Sequence, residues 1–236
     1  MRAVALRVLA LLVPAAVLLA GCGDDFGGCT GDCLSVNNGG PVVKGSGTAK
    51  TENRTVAPFT AIRLEFGGRA EIERTGAASL AVTADDNLLG LLTAEVKDGT
   101  LILGVEKGKS FAGKIPVYRI TVADLHSLEL KGSGEADAGK LDSNALAVAV
   151  AGAGAAKLAG RADELTIVVS GSAACNAGAL TAKRATVSVS GAGDVTVNAS
   201  EALDAKVSGS GSVHYLGAPK LTKTVSGAGT ITGKAN

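Results

Sequence analysis

The side chains in this 236-residue sequence best equipped for catalysis or metal ligation are two histidines, four cysteines and a scatter of carboxylates. A nucleophile–base pair or a zinc site needs such groups to converge. His126 and His214 stand far apart in the chain, and alternation turns His214 outward while Tyr215 turns inward. Each reads as a surface histidine without a partner. Cys175 falls among apolar neighbours at an inward position. It reads as a small buried hydrophobe, because buried thiols are inert. Glu135, Asp137, Asp142, Asp163, Glu164, Asp194 and Asp204 take outward positions. Acid/base cleavage of a polysaccharide requires two carboxyl groups facing one bond, and these acids share no single repeat position. The stretch GAGDV at 191–195 matches part of a calcium-binding nonapeptide, which needs its Asp in every turn. The places corresponding to Asp194 hold Glu135, Ala155, Ala174, Ser212 and Thr230, so calcium is excluded there. No metal and no cofactor is expected, and the chain reads as non-enzymatic.

The elements that carry these residues announce themselves through glycine. A Gly-x-Gly unit recurs with its first glycine at Gly132, Gly152, Gly171, Gly191, Gly209 and Gly227, spaced by 20, 19, 20, 18 and 18 residues. Its second glycine is Gly134, Gly154, Gly193, Gly211 or Gly229, with Ala173 in the remaining copy. Two residues before each unit stand Leu130, Val150, Val169, Val189, Val207 and Val225; four after it stand Ala136, Ala156, Cys175, Val195, Val213 and Ile231. The period-two rule of a strand therefore holds on both sides of the glycines in one register. Both glycines fall on the inward set of that register, and they read as corners with no room inside for a larger side chain. A repeat of this length is the mark of a solenoid. The reading is all-β, a right-handed parallel β-helix with a less regular β-rich N-terminal part. An antiparallel sandwich also has closely spaced strands, but it does not require one apolar register in every repeat. Ser170, Ser190, Ser208 and Ser226 make an outward strip of small residues, which the tight bend alone explains and which would also form a flat contact ridge.

The regular coils span 126–236, and 59–125 holds irregular first coils and a hairpin. FTAIRLEFGGRAEIE at 59–73 keeps the inward alternation through Ile62, Leu64, Phe66, Gly68, Ala70 and Ile72. Asp98-Gly99 between apolar runs is a hairpin signal. Lys223 breaks the inward column on the last repeat, where a charge meets water.

The chain begins with Arg2 and Arg7, then LLVPAAVLLA, then Leu19-Ala20-Gly21-Cys22. A basic start, a short apolar run and small residues at the cut describe a secretory signal over 1–21. The ending resembles the bacterial lipobox, which makes Cys22 the expected lipidation site and the membrane an expected partner through that anchor. Gly23 in place of Asp favours the outer membrane. Residues 22–40, rich in Gly, Asp and Asn, read as a flexible tether. Within it Cys29 and Cys33 suit a local disulfide in an oxidising compartment, or two idle thiols; a metal site on CxxxC alone is the weaker reading. The domain proper is 41–236.

A net charge of +1 gives no bulk attraction to nucleic acid. Aromatic residues make up 3% of the chain and tryptophan is absent, so rings to stack on sugars are few. With TVAPFTAIRLEFGGRAEIERTG, TADDNLLGLLTAEVKDGTLILGV and the recurrent VSGSG/VSGAG coils, the chain resembles the bacterial head-GIN domain family over about residues 50 to 234. That resemblance implies an exported parallel β-helix with an adhesin-like role and brings no catalytic residues with it. The expected function is a lipid-anchored, non-enzymatic surface that binds or scaffolds, with a glycan or an envelope protein as partner. The alternative is a carbohydrate-active β-helix enzyme.

Overall fold

The computed structural model describes residues 33–234. Strands dominate, and among the described residues the helical content is one 3-10 turn at Leu89–Leu91. Cys22 and Cys29 lie outside the described residues.

The N-terminal part makes a lid. Strands β1 (Cys33–Val36), β2 (Val42–Lys44) and β9 (Ser110–Lys114) form a small sheet in the order β1-β9-β2. Residues 33–36, which composition assigns to the tether, are thus a strand, and Leu34 packs on the core. Polar composition hid this because β1 needs only two inward apolar residues, Leu34 and Val36. On one limb of the main sheet lie β3 (Ala49–Arg54), β6 (Ser79–Asp85), β10 (Val117–Val122) and β5 (Arg69–Arg74), each paired with the next. On the other limb lie β7 (Leu92–Lys97), β8 (Thr100–Val105) and β4 (Ala61–Leu64). The turn between β7 and β8 has Asp98 at φ 50° and Gly99 at φ 70°, the backbone of a two-residue hairpin. Over the lid's interior, Phe66 meets Phe111 and Tyr118 edge to face, with ring centroids 6.4 and 6.2 Å apart.

Below the lid the chain winds as a parallel solenoid of about five turns. Its strands are β11 (Ser127–Gly132), β12 (Glu135–Gly152), β13 (Ala155–Gly171), β14 (Ala174–Gly191), β15 (Asp194–Gly209), β16 (Ser212–Leu216), β17 (Lys220–Gly227) and β18 (Thr230–Gly233). All pairings among these strands are parallel. The register joins Leu103, Leu64, Leu130, Val150, Val169, Val189, Val207 and Val225 into one column. The sandwich alternative fails here, because it would place these residues on separate antiparallel hairpins.

Opposite that column stands a second one through Tyr118, Ala70, Ala136, Ala156, Cys175, Val195, Val213 and Ile231. In β13 and β14 both walls are lined by buried side chains without rings: Ile167, Val169, Val187 and Val189 on one, Ala156, Leu158, Cys175 and Ala177 on the other. A core without tryptophan is filled this way, layer by layer.

The paired glycines turn the corner, with one correction to their expected placement. The second glycine of each unit is inward: Gly134, Gly154, Gly193 and Gly211 are buried, as is Ala173, while Gly229 on the last coil is half-buried. The first is not. Gly152, Gly171, Gly191 and Gly227 are exposed, and Gly132 and Gly209 are half-buried. What demands glycine at the first place is the backbone. Gly191 has φ 112°, and a Cβ there would sit 2.6 Å from the carbonyl oxygen of Gly171 in the coil above. That closeness keeps the hydrogen-bond ladder unbroken through the bend: the Ala192 N–H donates to Gly171 O and the Ser210 N–H to Gly191 O, both at 2.9 Å.

Candidate functional site

Outward positions on the limb that follows the glycines form straight rows, because the parallel register stacks like positions. One row runs Arg119, Glu71, Asp137, Lys157, Asn176, Thr196, His214 and Thr232. A parallel row runs Arg69, Glu135, Ala155, Ala174, Asp194, Ser212 and Thr230. Alanines at 155 and 174, with Gly139 beside them, leave the surface low between long charged neighbours. The result is a trough of about 630 Å³ whose polar lining includes Arg69, Glu71, Glu73, Glu135, Asp137, Lys157 and Asn176.

Charge within the trough is neutralised from coil to coil. Arg69 meets Glu135 at 3.2 Å, Arg119 meets Glu71 at 3.0 Å, Lys140 meets Glu73 at 3.5 Å and Lys157 meets Asp137 at 3.9 Å. These side chains are exposed, and each carboxylate has a basic partner from a neighbouring strand or coil. The lining offers guanidinium, ammonium, carboxylate and amide groups within one shallow depression. Such a set can both donate and accept hydrogen bonds.

The structure gathers acids that their positions in sequence leave scattered. Glu135 and Asp137 line the trough together with Glu71 and Glu73, which reach it from β5. Asp194 shares a row with Glu135 but lies three coils away. Asp142, Asp163 and Glu164 sit outside the trough in other pairs: Asp142 with Arg161 at 3.3 Å, Asp163 with Lys183 at 2.8 Å and Glu164 with Arg184 at 2.8 Å. The Lys183 hydrogen bond holds Asp163 below the ordinary carboxylate range. Asp204 pairs with Lys206 at 3.5 Å. Sequence reasoning missed Arg69, Glu71, Glu73, Lys157 and Asn176 as members of one site. The signal was present in RAEIE at 69–73, whose alternation matches EADA at 135–138, but only pairing through Gly68 and Gly134 superposes them.

Both histidines have partners, contrary to expectation. His214 Nδ1 lies 2.9 Å from Thr232 Oγ1, and His126 Nε2 lies 3.2 Å from Asp124. The stacked register supplies Thr232 from the next coil. Cys175 is buried and free, and burial pushes its thiol up to about 12. Cys33 is disulfide-bonded. Ser170, Ser190, Ser208 and Ser226 stack as an exposed strip on the limb that enters the glycine corner. Among the described residues no group of three or more metal-ligating side chains converges.

Comparison with known proteins agrees with this architecture. A crystal structure of a "putative adhesin" from Bacteroides fragilis superposes with a TM-score of 0.69 at 28% identity, covering 81% of this chain and 100% of that one. A "putative lipid binding protein" from Parabacteroides distasonis gives 0.57 at 22% identity, covering 82% and 100%. A "putative adhesin" from the same organism gives 0.52 at 19% identity, over 82% and 100%. The last two show the fold alone. No curated protein matches the chain. The family described as "putative auto-transporter adhesin, head GIN domain" matches residues 58–219, and the chain belongs to that family.

Proposed function

We propose that this protein is a lipid-anchored solenoid of the bacterial cell envelope, carried on the outer membrane through Cys22, and that the outer face of its coils is a non-enzymatic, adhesin-like contact surface. The observation that carries the reading is the trough. Its groups are exposed, matched in charge and arranged in rows along the axis, which suits contact with an extended polar partner and supplies no desolvated acid or nucleophile. Membership of an adhesin family supports the same reading. A glycan and envelope-protein binding screen tests it, with wild type beside an Asp137→Ala, Lys157→Ala double variant. Binding weakened tenfold or more by the double variant is expected; a binder indifferent to the trough contradicts it.

One observation favours a second reading, a carbohydrate-active enzyme. Glu71 and Asp137 are register partners on neighbouring strands and both line the trough, and glycosidic cleavage employs two carboxyl groups flanking one bond. Release of new reducing or unsaturated ends from a polysaccharide panel, abolished by Asp137→Asn, would establish that reading in place of the first.

A further inference from the structure

The far end of the solenoid is built unlike every coil above it. Val150, Val169, Val189 and Val207 are buried, yet Val225 in the same column is 43% exposed. β17 pairs with β15 and β18 with β16, and among the described residues no strand pairs the other side of either. The last coil therefore presents an eight-residue strand edge, Lys220–Gly227, with its backbone groups open. Inward of that edge lie Leu221, Lys223 and Val225, with Ile231 and Tyr215 half-buried nearby. This coil lies outside residues 58–219, the part matched to the family.

Charge selects what fits there. From residue 205 onward the chain has Lys206, Lys220, Lys223 and Lys234 and no aspartate or glutamate. Lys206 already faces Asp204 at 3.5 Å. Two copies meeting end to end would bring Lys223 against Lys223 in a place where each needs a counter-charge. The main sheet's other edges are no better matched, since β3 carries Lys50 and Arg54 beside Glu52, and β7 carries Lys97 beside Glu95.

We propose that β17 is a strand-addition site for an extended, acidic segment of another protein. The segment takes the place of a further coil. Its backbone continues the parallel ladder, as in β-augmentation generally. Its side chains follow the columns: apolar over Leu221, carboxylate over Lys223, apolar over Val225 and a small residue over Gly227. The partner motif is thus apolar-x-acid-x-apolar-x-Gly. This site is distinct from the trough, so either assignment can fail without the other.

The test uses the full chain in detergent and a fluorescent peptide of residues 219–229 carrying Lys223→Asp. The controls are the unaltered peptide and the acidic peptide N-methylated at alternate residues. The acidic peptide is expected to bind at least tenfold tighter than either control. In the protein, Lys223→Glu inverts the preference between the two charges and Lys223→Ala removes it; the alanine variant serves should the reversal disturb folding. Equal binding of acidic and unaltered peptides to wild type, undiminished binding of the N-methylated peptide, or no binding at all overturns the assignment. So does concentration-dependent self-association abolished by Lys223→Glu, which would make a second copy the occupant.

Discussion

At the level of single residues, the fold depends on places where a side chain cannot exist. Gly191 combines a left-handed backbone with a carbonyl oxygen 2.6 Å from where its Cβ would be. Gly193 lacks the positive φ, and a Cβ there would lie 2.5 Å from Val169 Cγ1 and 2.7 Å from Ala173 O; the equivalent residue one coil earlier is already Ala173. Gly139 has nothing within 4 Å and no positive φ. Gly191→Ala is expected to lower unfolding free energy by about 2–5 kcal/mol through strain and crowding together. Gly193→Ala costs less and Gly139→Ala is near neutral, an order that denaturant titration of the three variants checks. Cys175 makes a second, pH-dependent test. Its thiol rises from 9.0 to about 12 in the fold, so unfolding releases it to ionise more readily. Its contribution is intact below pH 9 and is lost as pH climbs toward 12. Cys175→Ala, matching Ala136 and Ala156 above it, is expected to flatten the fall of the denaturation midpoint above pH 9; an unchanged slope removes Cys175 from the explanation. The sequence showed where the glycines recur and that Cys175 is buried. It did not show that the first glycine faces outward, because a residue without a side chain leaves no apolar signal to read.

At the level of elements, regular alternation was legible and borrowed partners were not. The strands from Ser127 onward follow from periodicity, and the Asp98–Gly99 turn from its dipeptide. Gly99 has φ 70° with open space around its α-carbon, so Gly99→Val introduces strain without a clash. The expected loss is about 1–2 kcal/mol, read as a lower thermal midpoint with the solenoid's circular dichroism retained. A loss much larger than this would mean that the hairpin also holds the lid in place. β1 escaped notice because its pairing with β9 spans most of the N-terminal half and its residues look like linker. The trough escaped for the same reason. Its charges come from β5 and two successive coils, with Asn176 added from a third, and only the parallel register sets Arg119, Glu71, Asp137 and Lys157 in one line.

At the level of the whole molecule, a lid at one end and an open, lysine-bearing coil at the other give the solenoid a direction. The described chain starts at Cys33, in the lid, so the proposed anchor at Cys22 precedes the lid in sequence. Cys22→Ala is expected to move the protein from the membrane fraction to the soluble fraction; unchanged partitioning would remove the anchor from the proposal and leave the fold untouched. The claim beneath all of this is that successive windings stack one upon another in register. Lys131, Ser190, Ser208 and Ser226 lie on one row, three, four and five pairings being needed to reach the last three from the first. Paramagnetic labels placed on Lys131 and, in turn, on each of the serines measure it directly by pulsed-EPR distances. Stacking predicts separations of about 14, 19 and 24 Å, growing by about 4.8 Å per winding; distances that fail to increase steadily along the row would contradict it.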